Sequence, residues 1–410
     1  MIGKVETPAL SAILCADWGK ESRKRSVYVA EIAARTVKRR AASDWSVKTV
    51  LAEAENWTTA GSVLVTFDAP LGVPESYLAA AARVQSWRSP ETFLELLSCA
   101  CSTPDFFDAT FIADDWKIER PFFSVPGGAG GLTSYRVAAD RMGVDLYRTI
   151  DRLTKAKTLF VKSGIPGSVG SAACALWKDL GPRLAQSRNF RVWPFEGDLD
   201  VLLRSTPVVV GEIYPRAAYA TALLDIPAAA RPPMGLAKTD TAVRRNAIRA
   251  LQRAEWVREL SVLIEDVDAA EANEDDFDAC ITAAALLRCL LEHVQLCPAT
   301  LKAAQAEGGV LGTGAINLGL PERTFRAEYH GEHQSGGSAM RAKAKRIEVA
   351  GAGRSFRCPI EGCEKVYEGT RGGWDGHVGS SRIHSHWHPE LASAEARKKQ
   401  FKTEFPDFFG

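Results

Sequence analysis

The chain lacks any run of about 18 apolar residues, the minimum for a bilayer-spanning helix, so no membrane protein is expected. Its opening residues, Met1-Ile2-Gly3-Lys4-Val5-Glu6, lack the basic start and apolar stretch of a secretory signal, and a cytoplasmic location is expected. An excess of one charge is also missing. The 51 Lys and Arg face 50 Asp and Glu, so the whole-chain charge gives no global pull toward nucleic acid or membrane. Nine Cys, an odd number scattered over most of the chain, do not make a disulfide framework. Glycine (33) and proline (20) are too few for a collagen-like or low-complexity chain. A soluble globular class remains, and 410 residues suggest one large domain plus something smaller.

The scarce residue types are unevenly placed. Six of the seven His (His330, His333, His377, His384, His386, His388) lie beyond residue 329. From Arg341 to Arg357 six basic residues stand against one acid, Glu348, and residues 331–355 are Gly-, Ser- and Lys/Arg-rich without periodicity, which reads as a linker. Beyond it Cys358 and Cys363 are followed by His377 and His384, with Phe356, Tyr367 and Trp374 between and around them. This pattern resembles a Cys2His2 zinc finger, in which a β-turn supplies two thiolates and a helix two imidazoles. So small a unit cannot hold itself together by burial alone, whereas structural Zn²⁺ contributes roughly 10–16 kcal/mol in apparent binding energy. The spacing between the two His exceeds the usual three to five, so His386 and then His388 are alternatives to His384 as fourth ligand.

The main part of the chain carries a second pattern. Ala12–Asp17 reads as a buried strand ending in an acid, and Ser26–Ile32 as its hairpin partner. Residues 44–57 have helical spacing, and Gly61–Asp68 is a β-branched run suited to a strand covered on both faces. Residues 73–190 read as a mostly helical insertion. Pro207–Pro215 is a third buried strand, containing Glu212, and Glu274–Asp278 opens a strong helix running to about Gln295. Asp17, Asp68 and Glu212 thus sit at the carboxyl ends of strands, where ligands of open α/β sheets bind, and Asp278 begins a helix. Converging carboxylates need a cation or a proton, because like charges about 4 Å apart repel by roughly 4 kcal/mol at an effective dielectric near 20. Hard oxygen ligands suit Mg²⁺ or Mn²⁺, and two such ions about 3.5–4 Å apart can drive phosphodiester hydrolysis. Asp275 shares a helix face with Asp278 and is the next candidate; Asp276 does not. Taken singly, each acid is as readily a turn former or a helix cap.

The ordered set strand-Asp, hairpin, helix, strand-Asp, insertion, strand-Glu, helix-Asp is similar to the ribonuclease H-like fold. More closely, it resembles the predicted RNase H-like nucleases of domain-of-unknown-function family 429. The matching blocks are Ala16–Gly19, Phe67–Gly72, Ser168–Gly170, Val192–Glu196, Gly211–Pro215, Asp275–Ala279 and Gly309–Thr313. The resemblance implies an α/β mixed sheet flanked by helices, with Asp17, Asp68, Glu212 and Asp278 as metal-binding acids. Pro70, Gly72 and Pro215 are expected to shape turns, and Trp193 and Phe195 to lie in the core. Arg216 and Lys20 are candidates for phosphate contact, or plain solvated charges.

The resulting expectation is a metal-dependent nuclease domain over 1–330, a basic linker over 331–355, and a zinc-finger module with an aromatic tail over 356–410. DNA or RNA is the expected substrate. Arg397, Lys398, Lys399 and the linker would add phosphate contacts, and the finger or the Phe401–Phe409 segment a protein contact. Two rivals stand beside it: a catalytically silent nucleic-acid-binding or assembly scaffold, and an actin-like ATP-binding phosphotransferase, for which Asp17-Trp18-Gly19 and Gly312-Thr313-Gly314 would be phosphate loops.

Overall fold

The computed structural model describes residues 10–125, 131–165, 167–186, 188–297 and 307–325, with 355–358, 360, 363, 366–368, 387–388, 390–391 and 394–405 of the tail. It divides into two units, Met1–Glu328 and Tyr329–Gly410.

The larger unit is built on a mixed, mostly parallel sheet of eight strands. In chain order these are β1 (Leu10–Asp17), β2 (Ser26–Glu31), β3 (Thr36–Arg40), β4 (Ser62–Phe67), β5 (Phe190–Val192), β6 (Val208–Ile213), β7 (Leu263–Ile264) and β8 (Val310–Leu311). Their order is β7-β3-β2-β1-β4-β6-β8, with β5 also on β6. The first three strands form an antiparallel meander; β4 runs parallel to β1, and β6 parallel to β4. Strands β1, β2, β4 and β6 lie where the sequence predicts them, and β3 is additional. Its residues Thr36-Val37-Lys38-Arg39-Arg40 end in three cations, so the apolar alternation is lost after Val37.

Both faces of the sheet are covered, which explains why its central strands read as unbroken apolar runs. Ala12, Leu14, Ala16, Val63, Val65, Phe67, Val208 and Val210 face helix Val47–Glu55 and the insertion. Ile13, Cys15, Leu64, Val209 and Ile213 face helices Pro215–Leu223, Thr241–Arg253 and Glu274–Leu291. Pro215 does not extend the third strand as expected; it opens the helix after it, where its fixed φ and missing N–H cost nothing. Asn273 caps the last of these helices, accepting the Asp275 N–H at 2.7 Å. The insertion contributes helices such as Phe93–Ser102 and Gly170–Leu184.

In the smaller unit Ser355–Arg357 pairs antiparallel with Val366–Glu368, and helix Ala394–Glu404 follows. Cys358, Ile360 and Phe401 form a small core, flanked by Cys363, Trp387 and Phe405. Phe401, foreseen as a docking residue, is therefore core of its own module. Most of the linker over 331–355 lies outside the described residues. Among the described residues no helix is long and apolar enough to cross a membrane.

Candidate metal centre

Strand parity decides which acids meet. Asp17 follows Ile13 and Cys15 on one face of β1, and Asp68 follows Leu64 and Thr66 on the same face of β4. The register pairs Ala16 with Phe67, and the Asp68 N–H donates to the Ala16 carbonyl at 2.9 Å, so the two aspartates stand side by side. That face is the one covered by helix Glu274–Leu291, which brings Asp278 from above. One carboxylate oxygen each from Asp17, Asp68 and Asp278 lies within 4.8 Å of the others.

Glu212 does not join them. Register pairs it with Phe67, one residue short of the Asp68 level, so it points to the opposite face of the sheet with Val208 and Val210. There Arg148 grips it with two hydrogen bonds of 2.7 Å, and the Leu71 N–H donates to the same carboxylate at 2.7 Å. The expectation that Glu212 is a metal ligand is corrected: its carboxylate lies on the opposite face of the sheet, bound by Arg148 and the Leu71 N–H. Burial opposes the Arg148 charge, but Asp151 and Glu212 on either side outweigh it and the guanidinium stays protonated.

The role of Glu212 is instead to set the loop that carries Asp68. Arg148 bonds Asp151 and the carbonyls of Leu71 and Glu307, while Trp177 donates to the Pro70 carbonyl at 2.7 Å. Gly72 completes the loop at φ +128°, where a Cβ would sit 2.3 Å from the Glu307 carbonyl oxygen. Gly72→Ala is therefore expected to cost at least about 1–3 kcal/mol, read as a lowered urea midpoint; an unchanged midpoint would mean that the loop is not clamped.

Asp278 is fully buried and its oxygens have separate partners. The Tyr219 hydroxyl donates to Oδ1 at 2.6 Å, and the Lys238 ammonium bonds Oδ2. Asp275, on the same helix face, is half-buried and close enough for its charge to act on Asp17. Asp276 points elsewhere, tied by Arg39 at 2.6 Å and by the Ser26 hydroxyl, and so anchors the helix start to β2 and β3. Sequence reasoning found Asp275 and Asp278 but missed Tyr219, Lys238 and Arg148. Nothing in the local sequence marks these three, since a lone Tyr, Lys or Arg acquires its role only from the tertiary contact.

The acids do not behave as ordinary surface carboxylates. Burial holds Asp17 well above the usual range, and the charges of Asp68, Asp278 and Asp275 push the same way. Burial lifts Asp68 to about 7 even though Lys238 pulls it down. Asp275 and Asp278 are raised by burial as well. Between the ordinary Asp value near about 4 and a value near about 7, the native state holds protons that the unfolded chain has released. Stability contributed by these protons is thus present at low pH and falls as pH rises through that window. In metal-free buffer the urea midpoint is expected to drop between pH 5 and pH 8, and to drop less for Asp68→Asn. An equal drop in the variant would remove Asp68 as the source.

Two other expectations change. Arg216 is held by Glu322, Nε to Oε1 at 2.9 Å, rather than presented to a phosphate, while Lys20 remains exposed. In the Gly312-Thr313-Gly314 turn the amides of Gly312 and Gly314 both donate to the Leu296 carbonyl, and Thr313 is buried, so these amides offer no phosphate cradle. Trp193 is buried and Phe195 half-buried, packed against opposite cores. A cavity of about 1060 Å³ opens against Leu10, Trp193, Leu290 and Leu296, and none of the clustered acids lines it.

In the tail, Cys358 and Cys363 both fall between the paired strands, and burial with the neighbouring Cys363 raises the Cys358 thiol to about 11. Two thiols five positions apart are a donor pair that fits zinc. His377, His384 and His386 lie outside the described residues. His388, the third choice for fourth ligand, bonds Glu390 at 2.7 Å and Glu404. Arg397 is buried and donates to the carbonyls of Trp387 and His388, so it is structural rather than a phosphate contact.

Fold and site together define an α/β protein with a mixed, mostly parallel sheet and a largely buried aspartate triad, two members at the carboxyl ends of adjacent strands and one on the helix that covers them. No family model, curated protein or solved structure matches this chain.

Proposed function

We propose that the larger unit is an RNase H-like domain and that the chain is a divalent-metal-dependent nuclease hydrolysing nucleic-acid phosphodiester bonds. The observation that carries this reading is the convergence of Asp17, Asp68 and Asp278 on one face of the sheet, from two adjacent parallel strands and one helix. The antiparallel meander, the crossover helix Val47–Glu55, the parallel β4 and β6 and the late acidic helix follow the same sequence of elements on which the resemblance rests. The donor set is all hard oxygen, which fits Mg²⁺ or Mn²⁺. Bound there, such an ion supplies Lewis acidity toward a phosphoryl oxygen and lowers the pKa of a water.

The chain's own residues prepare the place. Burial and the crowding of like charges favour the protonated forms of Asp17 and Asp68 until a cation takes over their charge; Asp68, at about 7, gives its proton up within the physiological range. Tyr219 and Lys238 fix the Asp278 carboxylate in one orientation. Arg148 and Glu212 hold the Asp68 loop from the other face, as positioning residues. The proposal extends to the tail as a zinc-binding module, with Cys358 and Cys363 as its first two ligands, that adds substrate or partner contact together with the basic run Arg341–Arg357.

Purified full-length protein should cleave at least one of single- or double-stranded DNA or RNA when Mg²⁺ or Mn²⁺ is supplied, and none when it is withheld. Four intact substrates with both ions would contradict the proposal.

A further inference from the structure

Lys238 has no duty in the expected two-ion picture, yet it is bonded to one of the three clustered acids. It comes from the turn that precedes helix Thr241–Arg253, and the buried Arg244 guanidinium holds its carbonyl, which fixes the loop. Its ammonium bonds Asp278 Oδ2, and the charges of Asp68 and Asp17 act on it next. Only about a third of its side chain meets solvent, so the charge is spent inward.

With the Lys238 ammonium on Asp278 Oδ2, the carboxylate oxygens at hand leave room for one ion; released from the ammonium, that oxygen is the ligand a second ion would take. Glu212 faces the other side of the sheet with both oxygens on Arg148, and Asp276 has both on Arg39. Asp278 keeps lone pairs for a metal, since a carboxylate offers about four, but each of its oxygens already accepts one bond. A pair of ions needs bridging carboxylates and further ligands on each side. Once ionised, Asp17, Asp68 and Asp278 with one ammonium carry a formal charge of about −2, the complement of a single divalent cation.

We propose that Lys238 is the second cation of this site, so that the aspartate triad takes one divalent metal ion and the ammonium stands in for the other. The inference rests on the metal-dependent reading above. It assigns Lys238 a fixed positive charge beside the reacting phosphate, delivered by the chain itself and independent of metal concentration.

The test is a count of bound ions. Mn²⁺ is titrated into the full-length protein and free Mn²⁺ is read by electron paramagnetic resonance, with the Asp17→Asn/Asp68→Asn double variant as the blank for ions held elsewhere. Wild type should bind one ion more than the blank. Lys238→Gln should bind two more, and Lys238→Arg, which keeps the charge, should stay at one. Two ions in wild type, or one in Lys238→Gln, would overturn the lysine assignment while leaving the metal reading intact. No ion beyond the blank in wild type would overturn the metal reading itself. If Lys238→Gln does not fold, the wild-type and Lys238→Arg counts still decide, because two ions in either contradict the proposal.

Discussion

Arg148→Met should be among the most destabilising single substitutions in the larger unit, costing about 3–5 kcal/mol of unfolding free energy. The reason is what it leaves behind rather than what it removes. Arg148 is buried, and its guanidinium serves Asp151, Glu212 and the carbonyls of Leu71 and Glu307. Without it two carboxylates remain in the core with no countercharge, and a buried ion pair broken on one side is far worse than one replaced whole. The two effects separate in a double-mutant cycle by urea denaturation. Glu212→Gln should cost much less in the Arg148→Met background than in wild type, because the charge it neutralises is no longer compensated there. Additive costs would mean that the two side chains are not coupled. Since this network also holds the loop bearing Asp68, loss of activity should accompany loss of stability.

Asp17→Asn and Asp68→Asn should each move activity and stability in opposite directions. Under the proposed function, losing a metal ligand removes several kcal/mol of transition-state stabilisation, and about 4 kcal/mol corresponds to a rate loss on the order of a thousandfold. The same substitutions remove like charges crowded within 4.8 Å in a buried site. The metal-free variants should therefore gain about 0.5–2 kcal/mol, as is common where a strained functional site is relaxed. Rates on labelled DNA and RNA, paired with urea midpoints in metal-free buffer, check both halves. Variants that lose stability and activity together would argue that the aspartates are structural. Variants that keep their activity would remove the site.

Much of the frame was legible because burial on both faces writes continuous apolar runs for β1, β4 and β6, and because Pro and Gly mark where they stop. Asp17 and Asp68 were legible for the same reason: each ends its run on the side where parallel strands present ligands. Glu212 lies at a strand end like the aspartates but has the opposite parity. Counted from Val209 and Ile213, which face the late helix, Glu212 falls on the wrong side, and the alternation alone contains that information. Arg148, Tyr219 and Lys238 were beyond the sequence. They lie 64, 59 and 40 positions from the carboxylates they serve, and only the fold pairs them. In the tail Cys358 and Cys363 lie between two paired strands, while His377, His384 and His386 fall outside the described residues.

The most direct measurement is anomalous diffraction from crystals of the full-length protein soaked in Mn²⁺. The account predicts a single manganese peak enclosed by Asp17, Asp68 and Asp278, on the sheet face opposite Glu212. A triad without a peak, in crystals where manganese binds elsewhere, would contradict it.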